Sequence, residues 1–328
     1  MVTTRPGRTN RYYNTVISRF SPRSPALERI MPSALYMTVI PHFSATLRFL
    51  ATHRLSALCL CTLLAAPHQT EAADLEPATV AAFDRYVAAT EIRTRAPTPA
   101  LWIDQLPDEG QREAHTELQA GHVFVERLTT RDGGREIEVP GGLIHHWIGT
   151  VFVPGTSTAQ AVRLLQDYDH HAELFAPMVQ RSRTLSKEGD HFTVFLRFYQ
   201  KKGITVIVNS DHDARFTQLA AGLVAARIVS TRIQEVENPG PNEREKPVGH
   251  DGGYLWRLNT YWRFVERDDG VYVQCESVTL TRGIPFGLGW LIGPFVTSIP
   301  RESLTFTLDT ALKTLRRAGP GLATITSP

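Results

Sequence analysis

Three clusters of titratable side chains are the natural places to look for chemistry: His145-His146, His170-His171 and Asp211-His212-Asp213. Metal ligands on one strand need i, i+2 spacing to share a face, and on a helix i, i+4, whereas adjacent histidines of a strand point apart. No HExxH or equivalent occurs, so neither a metal nor a cofactor is expected. Acid–base work needs two titratable groups converging on one pocket. The candidates are His145 and the Asp169/His171 pair, although Asp and His at such a junction also cap or end helices. The nucleophile elbow GxSxG and the phosphate- and dinucleotide-binding glycine loops are absent.

A richer pattern lies in two strand-like runs, Leu255–Val265 and Val271–Thr281, joined by the turn signal Asp268-Asp269-Gly270. Period 2 puts Trp256, Leu258, Thr260, Trp262 and Phe264 on one face and Arg257, Asn259, Tyr261, Arg263 and Val265 on the other. A short hairpin loop sets Trp262 opposite Cys275, Phe264 opposite Val273 and Tyr261 opposite Glu276. The aromatic face either fills a core or lines a cavity for an apolar ligand, since both demand the same side chains. The polar face either holds an acidic head group between Arg263, Glu276, Tyr261 and Asn259 or is an exposed cross-strand ion pair.

The elements that position these residues follow from periodicity. A helix is expected over Asp74–Arg95, with Leu75, Val80, Phe83 and Val87 on one face and Pro97 and Pro99 beyond its end. After a Pro-, Gln- and Glu-rich passage and a short strand at His122–Leu128 comes the β-branched and aromatic run Leu143–Val153. Thr156 or Ser157 caps a helix to about Tyr168, and a second short helix covers about His171–Phe175. Strands then dominate: Val179–Leu185, Phe192–Gln200, Ile204–Asn209, Leu223–Ile233 and the hairpin. The final helix carries Leu304, Leu308, Ala311, Leu312 and Leu315 on one stripe, with Ser298, Pro300 and Glu302 suited to its first turn. The apolar, glycine-rich segment 285–294 before it is a lid on glycine hinges, a transient membrane contact, or a packed connection.

Residues 1–72 read as targeting sequence. Leu55–Ala66 is an uncharged apolar run behind Arg48 and Arg54, followed by Thr70-Glu71-Ala72, so cleavage near Ala72 and export to periplasm or medium are expected. An organellar transit peptide shares the composition of the upstream part. This segment holds eight arginines and two glutamates, and removing them from totals of 35 basic and 33 acidic residues leaves 27 against 31. The mature chain is mildly acidic, which removes the electrostatic argument for nucleic acid. Cys275 alone remains, so an internal disulfide is excluded.

Three stretches carry a family resemblance: LIHHWIGTVFVPGTS from Leu143, LLQDYDHHAELFAPMV from Leu164, and a closing passage from Cys275-Glu276-Ser277 through GLGWLIGPFV to PRESL at Leu304. Together they resemble the START-like, helix-grip superfamily, which includes polyketide cyclase/dehydrase-like and coenzyme Q-binding proteins. The resemblance covers about Leu143–Arg317 and implies an α+β helix-grip fold, a curved antiparallel sheet wrapped around a long C-terminal helix; the chain then divides into a helical N-terminal extension at 73–140, this domain at 141–318 and a disordered tail at 319–328. It further implies a sheet–helix cavity for a lipid, quinone or polyketide-like molecule. The lining would be His145, Trp147, Tyr168, Phe175, Trp256, Leu258, Trp262, Phe264, Trp290, Phe295, Leu304 and Leu308. The superfamily has no shared catalytic motif, so binding or carriage leads. A cyclase- or hydrolase-like enzyme on the same fold and an envelope interaction module are the alternatives.

Overall fold

In the computed structural model the described residues are 73–202, 204–284 and 289–319, without the side chains of 289–297. The targeting sequence expected at 1–72, residues 285–288 of the apolar segment and tail residues 320–328 lie outside them. The main elements are α1 (Pro77–Thr94), α2 (Asp108–Gln119), β1 (Phe124–Arg127), β2 (Gly142–Pro154), α3 (Thr158–Gln166), α4 (His171–Leu174), β3 (Val179–Glu188), β4 (His191–Lys202), β5 (Ile204–Ala220), β6 (Leu223–Glu237), β7 (Arg257–Arg267), β8 (Gly270–Arg282) and α5 (Gly289–Ala318).

The strands build one nine-stranded antiparallel sheet whose main path is β1-β2-β8-β7-β6-β5-β4-β3; the two-residue strand Arg244–Glu245 pairs with β6 off this path. The hairpin register is the one expected from the turn, with Trp262 opposite Cys275, Phe264 opposite Val273 and Tyr261 opposite Glu276. From β2 the chain crosses through α3 and α4 to the far edge and restarts at β3. Ser157 starts α3 with a reciprocal cap: its hydroxyl accepts from the Gln160 amide while its own amide donates to the Gln160 side chain.

Alternation sorts the sheet into two faces. The inner face receives α5, whose buried Leu304, Leu308, Leu312 and Leu315 pack on Val151 and Val153 of β2, Trp262 and Phe264 of β7 and Val271, Val273 and Cys275 of β8. Burying each large apolar side chain contributes about 1.5–3 kcal/mol, so this contact is a main source of stability. Gly149 permits the close approach, since a Cβ there would stand 2.6 Å from Leu308 Cδ1. The outer face is covered by the N-terminal extension. Phe83 and Tyr86 of α1 pack on Tyr261, Val278 and Leu280, while Leu101 and Ile103 pack on Leu223, Val265 and Tyr272.

Two elements differ from the sequence expectation. β5 continues to Ala220 through Asp211-His212-Asp213, whose carboxylates pair on the outer face with Arg232, His191 and Arg215. α5 starts at Gly289 and not near Ser298, with Pro294 and Pro300 inside it. The lid or loop expected at 285–294 is therefore helical from Gly289 onward; a proline removes one helix hydrogen bond without preventing a helix on both sides of it.

Candidate functional site: the inner face of the grip

His145, Trp147, Gly149, Val151 and Val153 alternate along the face of β2 that meets α5. One level of the sheet is polar. Thr279 of β8 stands opposite His145 and Leu258 of β7 opposite Thr279; the Leu258 amide donates to Ser230 Oγ on β6 (2.9 Å), and His212 of β5 stands opposite Ser230. This row crosses five neighbouring strands, from β2 to β5, through side chains of the inner face. Leu258 is half-buried, whereas His145, Thr279 and His212 are buried.

The hydrogen bonds of the histidines fix their tautomers. Ser210 Oγ donates to the Leu196 carbonyl (3.0 Å), so the contact of 2.8 Å with His212 Nε2 is donated by the imidazole. His212 Nδ1 is then a bare acceptor, and it has no partner. The Thr281 hydroxyl likewise donates to the Arg282 carbonyl (3.2 Å) and accepts from His145 Nε2 (3.1 Å). His171 Nε2 donates to the Leu165 carbonyl (3.1 Å). All three imidazoles are held neutral: burial pushes His145, His171 and His212 down to about 4, and the charge of Arg127 adds to the effect at His145. Two further buried hydroxyls lack partners, those of Tyr168 and Thr279. Burial raises the Tyr168 phenol, which stays protonated.

Around these polar atoms the lining is aromatic. Tyr168 lies against Phe192 and His171, with ring centroids 5.5 and 4.8 Å away, and His171 meets Phe175 edge-on at 5.0 Å. Phe198 meets His212 edge-on at 6.2 Å, and Trp262 stacks with Phe264. Phe175 packs with Val179 and Leu196 in a satellite of the core that α5 reaches through Phe306. Arg301 of α5 lies over the Trp147 ring.

Of the lining expected from sequence, His145, Trp147, Tyr168, Phe175, Leu258, Trp262, Phe264, Leu304 and Leu308 lie on the inner side of the sheet or on the helices packed there. Trp256 does not. It precedes β7, packs with Phe83 and Tyr86 under α1, and donates from Nε1 to Asp251 (3.0 Å), because strict alternation stops where the strand does. The side chains of Trp290 and Phe295 lie outside the described ones. Asp169 and His171 do not form a pair: Asp169 accepts from the Thr184 amide (2.7 Å) and hydroxyl at the surface. Thr279 was not among the expected lining residues, and His212 was weighed only as part of the Asp211-His212-Asp213 cluster, beyond a strand expected to end at Asn209. The signal that finds both is period 2 carried through the polar residues.

Of the two readings offered for the polar outer face, the exposed ion pair does not hold, because Arg263 and Glu276 are buried. Glu276 is 1% exposed and takes two hydrogen bonds from Arg93 (2.5 and 3.0 Å) and one from His146 (2.7 Å), while Tyr86 bonds the other His146 nitrogen (2.9 Å). These donors hold the Glu276 carboxyl below its usual range against the opposing effect of burial. Arg263 is buried and donates to the carbonyls of Thr94, Ala96, Pro97, Pro99 and Ala100.

A large antiparallel sheet gripping its last helix, with a helix pair inserted after the first long strand, is an α+β helix-grip arrangement. Among solved structures the chain is similar to a STAR-related lipid transfer protein from Xanthomonas axonopodis, at 16% identity over 58% of this chain and 98% of that one, with a TM-score of 0.38. It is similar to the Zhui aromatase/cyclase from Streptomyces sp. R1128, at 16% identity over 53% and 95% of the two chains, with a TM-score of 0.37. Human STARD10 matches at 10% identity over 64% and 81%, with a TM-score of 0.34. These likenesses concern the fold alone. No protein-family model matches the chain, and no curated protein matches it in sequence. Among the described residues no cluster of metal-ligating side chains occurs.

Proposed function

We propose that this protein binds a hydrophobic small molecule carrying at least one hydroxyl group, between the inner face of the sheet and α5. The observation that carries the reading is that, of the five described buried polar side-chain atoms without partners, three belong to the inner face and the helices packed on it, Tyr168 Oη, Thr279 Oγ1 and His212 Nδ1, in aromatic and aliphatic surroundings. Each such atom costs about 1–3 kcal/mol when left unpaired, so a ligand that supplies partners recovers that energy. His212 Nδ1 accepts only, so the ligand must bring a donor. The two hydroxyls tolerate donors or acceptors. An oxygenated ring system fits this pattern; a plain hydrocarbon chain leaves it unmet. The three histidines are neutral at physiological pH and the Asp169/His171 pair is not formed, which favours binding over acid–base turnover.

The test is mass spectrometry of small molecules extracted from natively purified full chain and from a Tyr168→Phe/Thr279→Val variant. The expected result is a hydroxylated apolar molecule whose yield falls severalfold in the variant. Recovery of no such molecule, or of equal amounts from both proteins, would overturn the reading.

A further inference from the structure

A cavity of about 400 Å3 lies on the opposite side of the sheet, between its outer face and the N-terminal extension. One cross-strand row of its floor is Arg215, Arg227, Tyr261 and Glu276, each directly opposite the next on neighbouring strands. In the adjoining row Ala225 stands between Thr217 and Arg263, and its short side chain leaves the floor open there. The end of α1 and the segment after it supply the other wall, with Arg95, Pro99 and Trp102. Its size falls within the range of about 300–1,000 Å3 typical of small-molecule sites.

The charges lining this cavity do not balance: five arginines face two carboxylates, Glu91 and Glu276. Glu276 is taken up by Arg93 and His146. Arg95 and Arg227 share the single carboxylate of Glu91, at 2.6 and 2.7 Å. Arg215 pairs at 3.1 Å with Asp213, which His191 also holds at 2.5 Å. Arg215 and Arg227 sit directly opposite each other on one face, each held by a single contact to a carboxylate shared with another basic side chain, and an anion between them would add to the attraction felt by both. The side chains of Arg95, Arg215 and Arg227 are 76%, 60% and 42% exposed, so their donors are open to solvent at the mouth. The same cavity is lined by the apolar side chains of Ala225, Leu219 and Trp102.

We propose that this outer cavity is a second site, for a small anionic amphiphile. A phosphate or carboxylate is clasped by Arg95, Arg215 and Arg227 at the mouth, and its apolar part lies over Ala225 against Leu219 and Trp102. The guanidinium forks supply bidentate recognition, and the anion attracts both facing arginines. The site uses the sheet face that the grip does not, so it stands independently of the ligand proposed for the inner face.

Titration calorimetry of the full chain tests it with monomeric octyl phosphate, inorganic phosphate and neutral octyl glucoside. Octyl phosphate is expected to bind at least about tenfold tighter than inorganic phosphate, and octyl glucoside not to bind, because head and tail each contribute. Arg215→Glu reverses an exposed charge, and Ala225→Leu fills the floor while keeping every arginine. Each should weaken octyl phosphate by about tenfold or more. The Tyr168→Phe/Thr279→Val variant should leave it unchanged. The proposal is overturned if octyl phosphate does not bind or binds no tighter than inorganic phosphate. It is equally overturned if affinity survives both outer variants or is lost in the inner one. Should Ala225→Leu lower the melting temperature, the Arg215→Glu arm decides alone.

Discussion

Tyr168 and Thr279 each bury a hydroxyl that finds no partner, a state that proteins rarely tolerate without a use for it. Their isosteric replacements, Tyr168→Phe and Thr279→Val, are expected to stabilise the ligand-free protein by about 1 kcal/mol each. Urea denaturation of stripped protein reads this, and a loss of stability in both would mean that the hydroxyls have partners in solution. Gly149 carries the opposite sensitivity. Gly149→Ala drives a Cβ toward Leu308 Cδ1, which buried packing holds at 2.6 Å from the ideal position, so about 1–3 kcal/mol of stability should be lost. A neutral result in a thermal melt would show that α5 can move away. Sequence alone indicated that His145 shares a face with Trp147; it could not show that Gly149 is where the helix touches the sheet, because that depends on where α5 crosses.

At the level of elements, the N-terminal extension is fastened to the sheet by a buried polar network. Glu276 joins Arg93 of α1 to His146 of β2, and Glu91 of α1 joins Tyr261 and Arg227 (3.0 and 2.7 Å). Removing the charge of Glu276 leaves the buried His146 and the partly exposed Arg93 without their ionic partner, at a cost of about 1–3 kcal/mol. Glu276→Gln should therefore loosen α1 before the sheet. Hydrogen exchange checks this: amides of α1 are expected to exchange faster in the variant while those of β7 and β8 stay protected, and uniform acceleration would count against a local clamp. The hairpin register was legible because turn length and alternation fix it locally. The covering of its polar face was not. Arg263 and Glu276 look like an exposed ion pair until a segment more than a hundred residues away lies over them.

Across the whole molecule, three buried neutral histidines set the response to acid. Unfolded histidine protonates near pH 6.5, whereas His145, His171 and His212 do so at about 4. Their folded values are lowered, so their contribution is complete above the unfolded value and is lost as pH falls toward and through about 4. Unfolding near pH 5 should then take up close to about three protons from these groups. Asp251 works against this trend, since burial and the nearby charge of Glu235 raise it to about 6 and its ionisation is penalised at neutral pH. Denaturation midpoints between about pH 7 and pH 4.5 should fall, and a His171→Phe variant should show a shallower fall than the parent. Equal slopes would mean that His171 is solvated.

The periodicities of the chain determined the closing helix stripe, the hairpin faces and the order of strands and helices, because each rests on neighbours within a few residues. Only the tertiary structure decided that β5 runs on through Asp211-His212-Asp213, that Trp256 turns away from α5, and that the outer face is roofed by α1. It also brought His145, Thr279, Ser230 and His212 into one row from four different strands. Local sequence fixes which way a side chain points from its own element. Which distant element meets it there is set by the crossover of the chain and by the packing of the sheet on α5.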